Sequence, residues 1–209
     1  MEIHAPHHAV KSWREAVVHL SLITVGVLIA LSFEGIATWR EHRALVREAR
    51  ANLASEIRDN LKELKNRLAS IPKERQNLER ADEAVRTVMA HKELKGEISL
   101  NFVTAELRDA SRATAQITGA FALMDYDEVQ KYASVYNLQA FYTHVRDTAF
   151  ENLTKALGFT SLLAQPASAT PRELEDFRAQ LRATSSALMV EEQIGKSLLA
   201  EYEHVLQEH

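Results

Sequence analysis

VREARANLASEIRDNLKELKNRLASI, residues 46–71, decides the fold. Its apolar positions Val46, Ala49, Leu53, Ile57, Leu61, Leu64, Leu68 and Ile71 recur every three or four residues, which places them on one face of a helix. The other faces carry charges of both signs, among them Arg50, Glu56, Arg58, Asp59, Lys62 and Lys65. Pro72 lacks an N–H and crowds the preceding turn, so the spacing predicts that the helix ends or kinks there.

Going toward the N-terminus, the same helix meets AVVHLSLITVGVLIALSF, residues 16–33, with no charge between Glu15 and Glu34. Extended to Ala37, that segment is roughly 33 Å long and matches a hydrocarbon core of about 30 Å. Trp13 and Trp39 bracket it, where amphipathic rings favour the headgroup layer. A cleaved signal peptide would have a shorter apolar run and no Glu34 before its cleavage site. A buried globular helix would show a polar face, and this one is apolar all round. Residues 16–37 are therefore read as a transmembrane helix preceded by a tail, 1–15. Arg40, Arg43, Arg47 and Arg50 outnumber Lys11 and Arg14, which by the positive-inside rule places the C-terminal part in the cytoplasm. The architecture, a short tail and one span before a large domain, is that of a signal anchor that exports its C-terminal part. The exported side is the expectation adopted.

Toward the C-terminus, a second helix with Leu78, Ala81, Val85, Val88 and Met89 on one face is expected to close at Gly96, giving a stalk and helical hairpin over 38–95. The membrane-proximal part of the stripe, Val46 to Ile57, is expected to stand clear of the later helices and to suit a second stalk. An aromatic-rich helical bundle is expected over 96–209. Asn101 is a candidate N-cap for a helix from about Phe102 to Thr118, and an apolar link, Ala120 to Met124, leads on to Asp125. Asp125 and Glu128 have capping-box spacing and open the next helix; Thr170, Pro171 and Glu173 open the last. No stretch after residue 40 alternates with period two, so the fold class is all-α: one transmembrane helix, a long stalk and an antiparallel bundle.

Composition narrows the function. The 209 residues include no cysteine, which excludes disulfides, thiolate metal sites and cysteine nucleophiles. A net charge of −4 makes no case for nucleic-acid binding. Charge is uneven, with residues 40–95 net basic and residues 96–209 net acidic. A basic stalk beside a bilayer meets anionic headgroups favourably, but a solvated helix face is the preferred account of it.

Two blocks resemble a known group. KSWREAVVHLSLITVGVLIALSFEGIATWREHR running into ALVREARANLASEIRDNLKEL (residues 11–64), together with ATAQITGAFALMDYDEVQKYASVYNLQ (113–139), is similar to uncharacterised bacterial single-pass membrane proteins. These have a Trp-flanked anchor and a helical domain with a Tyr-Asp-Glu-Val-Gln block. The resemblance implies a bacterial inner-membrane protein and supplies no activity, cofactor or active-site residue.

Chemistry-bearing patterns are few. His4, His7 and His8 cluster in the tail without a supporting carboxylate, and the other histidines make no HExxH, HxH or Glu-x-x-His pattern. Asp125 to Glu128 is too short for a calcium loop. No phosphate-binding Gly-rich loop or nucleophile elbow occurs, so the chain is read as no enzyme, with no cofactor, metal or catalytic residue. Two candidate sites remain. His19, Gly26, Ala30 and Glu34 share one face of the span, and small residues there suit a helix–helix contact. Tyr126, Tyr132, Tyr136 and Phe141 would mark a ligand pocket if they converge, and a scaffold if they close into a core. The reading is a membrane-anchored interaction or scaffold protein contacting lipid, its own copies or a membrane-protein partner. A sensory or small-ligand-binding bundle is the alternative.

Overall fold

The computed structural model describes residues 13–94, 96 and 98–207. Its elements are α1 (Trp13–Met89), α2 (Ala110–Ile117), a 3-10 turn (Ala120–Leu123), α3 (Tyr126–Gly158), α4 (Ser161–Ala164), a second 3-10 turn (Pro166–Ser168) and α5 (Pro171–Gln207). No strand occurs among the described residues. The chain divides into two units, Met1–Glu48 and Ala49–His209.

In the first unit, α1 contains an 18-residue window of mean hydropathy 2.3, none of it buried. It is long and apolar enough to cross a membrane. Three of its hydroxyls are satisfied within the helix: Thr24, Ser32 and Thr38 each donate to the carbonyl four residues back. The Arg43 guanidinium stacks 4.7 Å from the Trp39 ring centroid.

The second unit is a bundle of three long helices. Arg50–Glu128, Glu56–Tyr136 and Asn60–Gln139 contacts show α3 running parallel to α1. α5 runs antiparallel to α1, through Lys65–Glu203, Arg75–Glu192 and Asp82–Arg178. It is antiparallel to α3 as well, through Tyr202–Gln139 and Gln180–Asn152. Two parallel neighbours require the chain to travel back along the bundle between them, and residues 98–125 make that return.

Buried positions keep a three-four alternation along α5 and follow it on α1, where Ala54, Glu56 and Ala84 are buried in addition. On α1 they run from Leu53 and Ile57 through Leu64 and Ile71 to Val85 and Val88; on α5, from Leu174 and Phe177 to Tyr202 and Val205. This 3.5-residue period is that of coiled-coil packing, and it keeps the seams of long helices facing each other. Where α5 crosses near Leu68 and Tyr142, Gly195 permits the approach; a Cβ there would lie 2.8 Å from Leu68 Cδ2.

Several local expectations are corrected. α1 continues through Pro72 to Met89, so there is no helical hairpin within 38–95. Tertiary packing overrides the proline: its neighbours Ile71 and Glu74 sit in the core. The helix ends not at Gly96 but at Met89, closed by a Schellman motif in which His91 has φ 53°, His91 N–H donates to Val88 O and Lys92 N–H to Thr87 O. The helix expected over 102–118 shrinks to α2, because residues 101–109 are extended and held by side chains. No side-chain cap forms at Asp125; Glu128 binds Arg50 instead. At Thr170 the capping box does form, with Thr170 N–H donating to Glu173 Oε2 (2.9 Å) and Glu173 N–H to Thr170 Oγ1 (3.3 Å).

Candidate functional site

The four residues of the span face lie on one side of α1, and all are exposed. A Cβ added at Gly26 would meet nothing within 4 Å among the described residues. The four aromatics do not converge. Tyr132 and Tyr136 are buried in the bundle, while Tyr126 is 75% and Phe141 51% exposed. Their spacing, 126, 132, 136 and 141, drifts around the helix, which the aromatic content alone did not reveal. His4, His7 and His8 lie outside the described residues. Among the described residues, no group of three or more His, Asp or Glu is arranged to hold a metal.

What the bundle does contain is a buried ionic centre. Arg67 is fully buried on α1. Its Nε and Nη2 donate to the two carboxylate oxygens of Glu191 on α5, at 2.7 and 2.8 Å. Nη1 donates to Glu74 at 2.7 Å and to Ser70 Oγ at 2.8 Å. The Tyr142 hydroxyl on α3 donates to Glu191 at 3.1 Å. The Phe102 ring caps the guanidinium, 4.1 Å from its centroid. Burial opposes the charge on Arg67, but the hydrogen bonds to Glu191 and Glu74 outweigh it and hold its pKa above the ordinary value. All three long helices thus meet at one bidentate arginine.

A second polar layer lies along the return segment. Residues 98–109 have no helical or sheet partner, so their backbone groups need side chains. Glu74 accepts from Val103 N–H (3.0 Å) and Arg146 donates to the carbonyl of Ala105. Asn60 accepts from Arg108 N–H (2.8 Å) through its oxygen and donates to the Arg108 carbonyl (2.7 Å). Gln139 donates to that same carbonyl (2.8 Å), and Glu56 accepts from Ser111 N–H (2.9 Å) and from the Tyr136 hydroxyl (2.7 Å). Together these side chains clamp the strap along the length of the bundle.

Reading by hydrophobic stripe missed this centre. It assigned Leu61 and Leu68 to the core face, where the structure buries Asn60 and Arg67. The available signal was a seven-residue step: Asn60, Arg67 and Glu74 on α1, Gln139 and Arg146 on α3, Thr184 and Glu191 on α5. Each series continues a coiled-coil position with a polar residue. Burial raises the phenol of Tyr132 to about 12 and those of Tyr136, Tyr142 and Tyr202 upward as well. Glu56 adds to the shift at Tyr136 and Glu191 at Tyr142. Phenols so held are structural donors.

Open grooves lie outside this centre. One beside residues 98–109, about 510 Å³, is lined by Asp59, Asn60, Lys62, Glu63, Thr104, Glu106 and Arg108. Compared with known proteins, the chain matches no family model, no curated protein and no solved structure.

Proposed function

We propose that this chain is a membrane-anchored helical interaction or scaffold module with no chemistry of its own. The observation that carries the reading is the use made of its most reactive-looking groups. Arg67, Glu74, Glu191 and Tyr142 spend their hydrogen bonds on each other and on the strap, sealed from solvent. A catalytic or ligand-binding constellation presents convergent polar groups to a cavity. The aromatics form no such cavity, so the small-ligand alternative draws no support from them.

The exposed apolar half of α1 supports lipid as one partner, and the resemblance to bacterial anchored proteins supports the inner membrane as its place. The single-span architecture favours the bundle on the periplasmic side. A protein partner, a second copy or another membrane protein, is assigned to the span face His19–Gly26–Ala30–Glu34. The bundle-side argument for self-association weakens, because Leu53 and Ile57, expected to stand clear, are fully buried within the chain.

Native membranes test the reading. After alkaline carbonate extraction the protein should stay in the pellet, and amine crosslinking through the exposed Lys62 and Lys65 should yield one defined higher-mass species. Gly26→Ile should diminish that species if copies meet at Gly26. Release by carbonate would sink the anchor; monomer alone at every crosslinker dose would sink the interaction role.

A further inference from the structure

The apolar link between α2 and α3 has an outer side that the bundle does not use. From Ala113 to Met124 no residue is charged, the run being bounded by Arg112 and Asp125. Its inner side is fastened: Ala115 and Ala120 are buried, and the Phe121 ring lies 6.4 Å from that of buried Tyr132. Its outer side is open and sets large apolar side chains beside the exposed Thr114, Gln116 and Thr118. Ile117 is 86% and Tyr126 75% exposed, higher than for any other large hydrophobic residue described after Trp39, and Leu123 adds to the same tip.

Arg50 pairs with Glu128, two residues after Tyr126, so the tip lies at the end of the second unit where α1 enters. Only residues 40–48 separate Trp39 from that unit. A tether of that length spans about 30 Å fully extended and about 15 Å as helix.

We propose that Ile117, Leu123 and Tyr126 form a second, peripheral membrane contact that dips into the boundary between headgroups and acyl chains. The proposal rests on the reading of α1 as a membrane anchor. Ile117 and Leu123 supply apolar area, and Tyr126 has the amphipathic ring suited to that boundary. Asp125 and Asp127 flank the tip, so attraction to anionic lipid is not what drives the contact; burial of apolar surface is. The anchor makes the contact intramolecular in effect, so even a small apolar area is held at high local concentration.

The absence of cysteine allows a single environment-sensitive fluorophore to be placed at will. Full-length Ile117→Cys, labelled and reconstituted in phosphatidylcholine vesicles, should emit to the blue of the same labelled protein unfolded in urea. Lipids brominated on the acyl chain should quench it. The control is Ser168→Cys, exposed in the 3-10 turn before α5, at the opposite end of the bundle as judged from the Asp82–Arg178 pair; it should be unquenched. Protein that floats with vesicles but shows neither blue shift nor quenching at position 117 overturns the lipid contact alone. A blue shift at 117 without quenching overturns it in favour of a tip-to-tip contact between copies. Protein that fails to float overturns the anchor, and this proposal falls with it.

Discussion

Arg67 sets the energetics at the scale of single residues. A guanidinium with no exposure is tolerated because two carboxylates and a hydroxyl take up its donors. Removing only the arginine strands Glu74 and Glu191 in the core. Arg67→Met, similar in volume and apolar, should therefore cost about 3–5 kcal/mol, read as a lowered urea midpoint of the detergent-solubilised protein. Recovery of most of that loss when Glu191→Leu is added would assign the cost to the stranded charge; equal loss would assign it to packing. The tyrosines make a second prediction. Their folded pKa values lie above the unfolded value of about 10, so the stabilisation is complete below that pH. It is lost as pH rises through the folded values, because the unfolded chain releases protons that the folded chain keeps. Thermal midpoints should fall from about pH 10 upward, and Tyr132→Phe should flatten the part of that fall between about 10 and 12.

Among the elements, the close crossing of α5 is the most sensitive to volume. Gly195→Ala gains about 1 kcal/mol of helix propensity and pushes on Leu68 Cδ2, the mobile end of a side chain, so its net effect should be small. Gly195→Val adds atoms against Leu68 and Tyr142 together and should cost about 1–3 kcal/mol. Equal melting of the two variants would show that the crossing has slack. The element that depends least on its own sequence is the strap. Its backbone takes an extended path only because Glu56, Asn60, Glu74, Gln139 and Arg146 meet it at successive levels. Nothing in residues 98–109 alone announces that, and helical spacing there points to a helix instead. The capping box at Thr170, by contrast, is fully legible, since every atom it uses lies within four consecutive residues.

For the whole molecule, the two units differ in what they bury: the apolar window of the first is exposed, and the second packs its apolar residues inside. The bundle encloses one core, in which Phe177, Leu181 and Leu188 of α5 pack with Ile71, Leu78 and Val85 of α1 and with Ala149 and Leu153 of α3. A fragment of residues 41–209, which retains Val46, should therefore fold without detergent into a helical protein with one cooperative thermal transition. A broad, non-cooperative melt would mean that the bundle requires the anchor. The fragment should also leave the membrane fraction, because the segment of mean hydropathy 2.3 is gone.

Composition and short-range periodicity, carried by the sequence by itself, determined three things: an all-α chain, an apolar N-terminal segment of membrane-crossing length, and the start of the last helix at Thr170. These depend on side-chain spacing along a helix and on bonds between near neighbours. The tertiary structure alone decided that α1 passes through Pro72, that α3 runs parallel to it, and that Arg67, Glu74 and Glu191 lie inside. At the ionic centre Glu191 lies 124 residues from Arg67 and 49 from Tyr142, whereas Glu74 is seven from Arg67. A charged residue at a core position reads as surface until the residue that neutralises it is brought alongside.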